Sequence, residues 1–329
     1  MVPPRYAPRE QRRLLGAIAP LFRELHYPTT RLAKIIAALL AALVFSSLSL
    51  LVVGGFLLSQ VLMPMQPGES MRPAAFMGNV RPLEFPLSGE THTGWFFPGL
   101  RQAPVVVICH GYKSSRVEIL TLATSLQQNR YNVFAFNFAG HGESPRRLTT
   151  LGYRETQELL AALEMLSTRS DIDASRIGVW GYSLGGYAAL TAAAQFPAVK
   201  AVAVDSVYPR PEALLRLELN RVGRGGIPWL SRVARWEFRA LSVFWDDQKE
   251  AAESLNALES VPKLFIVGKD TPRLAALTQE LYEQAPGVKE VEVRSRTHMA
   301  SLVEEERRLY ENLVVRFFLR QLPLASAGP

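Results

Sequence analysis

Residues 176–195 read RIGVWGYSLGGYAALTAAAQ, and the fold turns on how that stretch divides. Its first part is a short apolar run ending at Gly181, which predicts a buried strand over 177–181. Its last part is alanine-rich and free of proline, which predicts a helix over 184–195. Between them lies Gly181-Tyr182-Ser183-Leu184-Gly185, followed by Gly186. A serine on so sharp a strand-to-helix turn is pushed into the open beside a helix N-terminus. Glycines are needed on either side because side chains there would collide with neighbouring backbone. A bare G-x-S-x-G also describes a tight turn that merely caps a helix. The strand before it and the helix after it make Ser183 a candidate nucleophile.

Outward from this unit the same alternation repeats. Apolar runs at 105–109, 133–138, 199–205, 264–267 and 290–293 predict strands, and 83–87 with 94–97 predicts a strand pair around Ser88-Gly89-Glu90. Helical patterns fall between them at 117–128, 155–166, 275–284 and 302–319. Continuously apolar strands separated by helices imply an α/β class with a mostly parallel central sheet covered on both faces. The rhythm breaks once, over 206–260, a span far longer than an ordinary strand-to-strand crossover. It carries Pro209, Pro211, a Gly-rich turn at 223–226, Asp246, Asp247 and three of the five tryptophans, Trp229, Trp236 and Trp245. A helical lid inserted over the carboxyl edge of the sheet accounts for it.

Charge is distributed just as unevenly. The 329 residues carry a formal +7, which over a whole domain would suggest nucleic acid or anionic lipid. Residues 1–34, however, hold seven basic residues and two acidic ones, a net +5, leaving +2 for the other 295. A nearly neutral main domain gives no nucleic-acid surface. The basic leader is followed by 25 uncharged residues, 35–59, IIAALLAALVFSSLSLLVVGGFLLS. That length suits a membrane-spanning helix over 35–62 and exceeds the apolar region of a cleaved signal peptide. The positive-inside bias then predicts a single-pass protein of the cell membrane, with its N-terminus cytoplasmic and the rest extracytoplasmic. The leader itself suits a helix along anionic headgroups or one in solvent. Residues 63–82 are rich in proline and read as a tether, and 323–329 as a tail. One cysteine, Cys109, excludes a disulfide within the chain and a cysteine-based zinc site.

Over residues 83–322 the chain resembles the α/β-hydrolase family. The likeness rests on the elbow around Ser183, on the strand VVVICHGY that ends in His110-Gly111, and on 137–144, NFAGHGES. It implies an oxyanion hole made by the backbone N–H groups of Tyr112 and Leu184. The family's loop after the fourth strand often reads D-x-R-G-x-G-x-S; Asn137 and Ala139 replace its acidic and basic residues, which bears on local packing. The chain order Ser, acid, His assigns the general base to His298, after the last strand. His26, His92, His110 and His141 lie in the leader, the early hairpin and the two loops. The same order assigns the acid to Asp270, although it follows Gly268 by two residues rather than the usual three. Asp205, at the end of the preceding strand, is the fallback.

These readings predict a serine hydrolase that needs no cofactor and no metal and acts on an acyl ester or thioester. The anchor and lid make a lipid-like substrate and contact with membrane lipid natural expectations. In the lid, Trp229, Trp236 and Trp245 are candidates to line a substrate pocket, to touch the bilayer, or to form the lid's own core. A peptidase on the same scaffold and a catalytically silent membrane-bound binding module are the alternatives.

Overall fold

The computed structural model describes residues 30–64, 79–144, 147–222, 228–245 and 250–324. The expectations for the basic leader up to residue 29, the tether over 65–78, the turn at 223–226, Asp246 and Asp247, and the tail after Leu324 lie outside these residues. Two compact units divide between Phe56 and Leu57.

The first unit holds most of helix α1 (Arg31–Leu62). Its best window has a mean hydropathy of 2.7 and none of it is buried. At about 1.5 Å per residue its 32 residues would cover about 48 Å, more than a hydrocarbon core of about 30 Å requires. Among the described residues it is the one helix long and apolar enough to cross a membrane. Residues 57–62 of the same helix belong to the second unit, where Leu58, Val61 and Leu62 are buried.

The second unit is an eight-stranded sheet. Its strands are β1 (Arg81–Leu87), β2 (Glu90–Phe97), β3 (Pro104–Cys109), β4 (Asn132–Phe136), β5 (Asp173–Tyr182), β6 (Val199–Asp205), β7 (Lys263–Gly268) and β8 (Lys289–Arg294), ordered β1-β2-β4-β3-β5-β6-β7-β8. The hairpin β1–β2 joins antiparallel to β4, and all remaining pairs are parallel. The apolar strand runs alternate between faces, as a pleated strand must. Val105, Val107, Val179, Val202 and Val204 pack with α3 (Tyr153–Ser167) and α4 (Leu184–Ala193). Val106, Ile108, Trp180, Ala203 and Ile266 pack with α2 (Leu120–Gln128) and α9 (Glu304–Gln321). The parallel, doubly covered sheet expected from the apolar runs is thus what forms.

Within 206–260 the described residues form helices, as expected: α5 (Pro211–Val222), α6 (Pro228–Ser242) and the short α7 (Ala251–Ser254), with 3-10 turns at Val243–Trp245 and Leu255–Leu258. Helix α8 (Pro272–Gln284) follows β7, with Pro272 at its first position, where a missing N–H costs nothing. Helix α9 opens on Glu304, Glu305 and Glu306 and closes near Arg320, each sign at the favourable end of the helix dipole.

Candidate active site

The strand register brings the candidate residues to one edge. Cys109 of β3 pairs with Gly181, Gly181 with Val204, and Tyr182 with Asp205. Asp205 in turn pairs with Ile266 of β7. The carboxyl ends of β3, β5, β6 and β7 therefore lie side by side, where ligands of open α/β sheets bind.

Ser183 stands between β5 and α4 with φ +50° and ψ −106°. A non-glycine residue in that region is strained, and such strain is characteristic of a nucleophile held out on a turn. The turn is pinned from both sides: the Ser183 N–H donates to the main-chain oxygen of Asp205 at 2.8 Å, and the Tyr187 N–H to that of Ser183 at 3.0 Å. A Cβ on Gly181 would overlap the Gly185 carbonyl, and one on Gly185 would overlap the carbonyls of Cys109 and His110. The N-terminus of α4, with Leu184, consequently abuts the loop that carries Tyr112. Those two segments are the ones expected to supply the oxyanion donors.

The loop 110–115 is held by buried polar contacts. His110 is fully buried; its Nδ1 contacts the Gly111 carbonyl oxygen at 2.8 Å and its Nε2 accepts the Phe138 N–H at 3.0 Å. Burial, then the neighbouring His141, pushes its pKa down to about 3, so it stays neutral and serves as a pin between the two loops. His141 is also buried and its pKa is lowered by burial, while His92 stacks on Phe85 at 5.3 Å. None of the three makes a hydrogen bond to the elbow among the described residues; their recorded contacts are with their own loops and with Phe85.

Where Asn137 and Ala139 depart from the family's pattern, other groups hold the loop. The Arg116 N–H donates to Asn137 Oδ1 at 2.7 Å, and the Ala139 N–H to Glu158 Oε2 at 2.8 Å. Glu158 lies within α3, and burial raises its pKa to about 8. An inward-facing glutamate in the middle of a helix carried no signal in the sequence beyond its three-residue spacing from Glu155. Glu155 is buried too, and caps its own helix by accepting from Thr149 Oγ1, Thr150 Oγ1 and the Gly152 N–H.

The two carboxylates at the sheet edge differ sharply. Asp205 is fully buried; Oδ1 accepts from Ser206 Oγ at 2.8 Å and Oδ2 from the Tyr310 hydroxyl at 2.7 Å. Burial raises its pKa to about 7, against the opposing pull of those hydrogen bonds. Asp270 is exposed, in the turn between β7 and α8, and its Oδ2 accepts the Thr297 N–H at 3.3 Å. The Lys269 N–H donates to the Arg294 carbonyl at 2.9 Å and the Thr271 N–H to Gly268 at 3.3 Å, so the turn is compact enough to present Asp270 beside the residue preceding His298. A Cβ on Gly268 would overlap both Thr297 Oγ1 and Asp270 Oδ1. The His298 ring stands edge-on to Tyr182, with centroids 5.6 Å apart and planes at 86°. Among the described residues neither the Ser183 hydroxyl nor the His298 ring takes part in a hydrogen bond.

Two cavities flank this edge. One of about 670 Å³ is lined by Asp270, Thr271, Arg273, Asn220 and Arg221. The other, about 710 Å³, is lined by Tyr153, Glu158, Arg154, His92, Phe244 and Trp245. Trp245 thus faces a cavity, whereas Trp229 and Trp236 are 51% and 64% exposed on α6, whose buried side is Ala234 and Phe238. Among the described residues no group of three or more His, Cys, Asp or Glu gathers as a metal site.

Comparison with known proteins bears on the fold. A family model described as the alpha/beta hydrolase fold matches residues 104–286. An uncharacterised protein of Mycobacterium tuberculosis is 33% identical over 144 residues, 42% of this chain and 46% of that protein. The chain therefore spans about half the length of that relative. A thiohydrolase of Aspergillus aculeatus is 25% identical over 215 residues, covering 64% of this chain and 63% of that protein. Among solved structures, an esterase of Pyrococcus furiosus superposes with a TM-score of 0.62 at 22% identity, covering 80% of this chain and 98% of its own. A dienelactone hydrolase of Anabaena variabilis gives 0.55 at 19%, covering 74% and 99%.

Proposed function

Because the chain belongs to the α/β-hydrolase family, we propose that it is a membrane-anchored serine hydrolase that cleaves an acyl ester or thioester. The observation that carries this is the strained φ of +50° at Ser183, between a parallel strand and the helix N-terminus at Leu184. The esterase and thiohydrolase likenesses support the substrate class.

In this mechanism Ser183 Oγ attacks the acyl carbonyl carbon while His298 takes its proton. The charge that develops on the carbonyl oxygen is met by the backbone N–H groups of Tyr112 and Leu184. Collapse breaks the bond to the leaving group, which departs as alcohol or thiol with the proton from His298. Water, deprotonated by the same imidazole, then releases the carboxylic acid and restores Ser183. Asp270 orients the imidazole. Its support is the Thr297 amide on its carboxylate, next in sequence to His298, and the commitment of both Asp205 oxygens elsewhere. Catalytic hydrogen bonds of this kind tighten on substrate binding, so the mechanism does not require the Ser183–His298 bond to be made beforehand.

Of the apolar span read over 35–62, residues 35–56 supply the membrane anchor in this proposal, since Leu58, Val61 and Leu62 are buried in the second unit, and the basic leader keeps the N-terminus in the cytoplasm. A reporter fused after Pro329 should be active on the extracytoplasmic side, and activity confined to the cytoplasm would reverse the orientation. For the chemistry, a fluorophosphonate probe should label the folded wild type and leave Ser183→Ala unlabelled. Failure to label folded wild type would favour the silent binding module, for which the unmade hydrogen bond is the specific support. A panel of esters and thioesters of graded chain length then identifies the acyl group.

A further inference from the structure

The last turn of α1 is not simply the end of an apolar run. Within the second unit, Leu58, Val61 and Leu62 are 4%, 0% and 2% exposed and share one core cluster with Phe138, Leu151, Leu184 and Tyr208. Pro64 is buried as well, with its Cγ 3.5 Å from the position a Cβ on Gly140 would take.

A helix C-terminus leaves carbonyl groups without intrahelical partners, and burying them unpaired is costly. Here two donors of the hydrolase domain satisfy them. The Tyr112 hydroxyl donates to the Val61 carbonyl oxygen at 2.7 Å, and the Thr149 N–H to that of Leu62 at 2.8 Å. Tyr112 sits in the turn Gly111–Ser114, closed by the Ser114 N–H on the Gly111 carbonyl at 3.2 Å, with Lys113 at φ +57°. Its ring meets His141 edge-on at 6.3 Å. Its side chain is therefore fixed by the helix end, by His141 and by the core, while its backbone belongs to the oxyanion loop. Burial, above all, keeps the hydroxyl protonated and able to donate.

We propose that the segment 57–64 is a positioning element of the active site, which sets the oxyanion loop through the Tyr112 hydroxyl–Val61 carbonyl hydrogen bond. This rests on the assignment of the Tyr112 N–H to the oxyanion hole. The physical ground is the steep dependence of catalysis on placement: donors must lie within about 0.5 Å of the productive geometry to act on developing charge. A turn of four residues with one left-handed position does not by itself hold that precision.

The test uses the full-length protein in detergent micelles, with a short-chain p-nitrophenyl ester and active sites counted by fluorophosphonate titration. Tyr112→Phe retains the backbone N–H and removes only the hydroxyl bond. Loss of a whole oxyanion donor costs about 100-fold or more, so displacement of one should lower kcat per titrated site by about tenfold. KM should stay within about twofold, since ground-state binding is not what the bond serves. A purely structural role would lower the titrated fraction and leave kcat per site alone. Wild-type kcat per titrated site in Tyr112→Phe would overturn the proposal and leave the serine-hydrolase assignment standing. If Tyr112→Phe does not fold, Leu58→Ala, which loosens the same turn without touching the loop, decides by the same readout: a fall supports the proposal and a wild-type value overturns it. Hydrolysis by Ser183→Ala equal to wild type, with no labelling of either, would instead remove the serine-hydrolase assignment and this inference with it.

Discussion

The carboxyl ends of β6 and β7 are neighbours in one sheet, and each carries an aspartate within reach of residue 297, yet they are different chemical places. At the end of β6, Asp205 is sealed in, both oxygens spoken for by Ser206 and Tyr310. At the end of β7, Asp270 is exposed and holds only the Thr297 amide among the described residues. A carboxylate that must reinforce an imidazolium needs a free lone pair and a charge that persists at neutral pH. Burial raises Asp205 to about 7, so a large share of it is protonated there. The contrast teaches that the β6 aspartate ties α9 and the β6 loop to the sheet, while the β7 aspartate keeps an oxygen open, which is the ground on which we propose it as the acid.

The strongest way to break the contrast is to remove one charge at a time. Asp270→Asn should lower kcat by about 10³- to 10⁴-fold, the scale expected when the residue orienting a catalytic histidine loses its charge. Asp205→Asn should cost less than about tenfold in kcat per labelled site and show its effect in melting temperature. Steady-state kinetics on both variants, normalised to fluorophosphonate labelling, decide it. A larger catalytic loss for Asp205→Asn would move the acid to β6.

Gly268→Ala comes next. The added methyl would overlap Thr297 Oγ1 and Asp270 Oδ1 at once, pushing the acid and the His298 loop apart. A fall in kcat of about 10- to 100-fold, with KM little changed, is expected for a misplacement of that kind. An unchanged kcat would mean that the turn at 269–271 relaxes freely and that its short spacing imposes nothing.

How much of this could be read beforehand follows from what a linear pattern records. The elbow was legible because β5 and α4 leave distinct periodicities on either side of Ser183, and the place of residue 298, in the loop after β8, because strand and helix patterns flank it. The difference in environment between Asp205 and Asp270 was not, since it depends on Tyr310 arriving from α9 some 105 residues later. The inward turn of Leu58, Val61 and Leu62 was invisible for a different reason: a uniformly apolar run has no polar face to show where lipid ends and protein begins. Helix α6 was legible as a helix, but not which of its faces turns inward. Its tryptophans were open to a pocket, the bilayer or the lid's own core, and on α6 Ala234 and Phe238 are buried while Trp229 and Trp236 are exposed. Glu158, which is buried and accepts the Ala139 N–H of the 137–144 loop, has nothing in the linear pattern to mark it as inward-facing.

On the β6 side, Tyr310→Phe removes one donor from Asp205 and should destabilise the fold by about 1–3 kcal/mol, the cost of leaving a buried oxygen unpaired. Chemical denaturation of wild type and variant measures this. A difference under about 0.5 kcal/mol would mean that water or a neighbour replaces the phenol.

The gentlest probe is pH, and its sign is fixed by the direction of the Asp205 shift. The folded pKa, about 7, lies above the ordinary carboxylate value of 3.8, so the folded state holds its proton more tightly than the unfolded one. The stability this gives is complete below about pH 4 and is lost as pH rises toward 7, at no more than about 1.4 kcal/mol per pH unit. Asp205→Asn lacks that proton equilibrium. Its stability relative to wild type should therefore improve between pH 4 and pH 7 and level off above. Parallel curves across that range would show that Asp205 stays ionised in the folded protein. The contrast between the two carboxylates would then rest on burial and hydrogen bonding, and the assignment of Asp270 on its free lone pair alone.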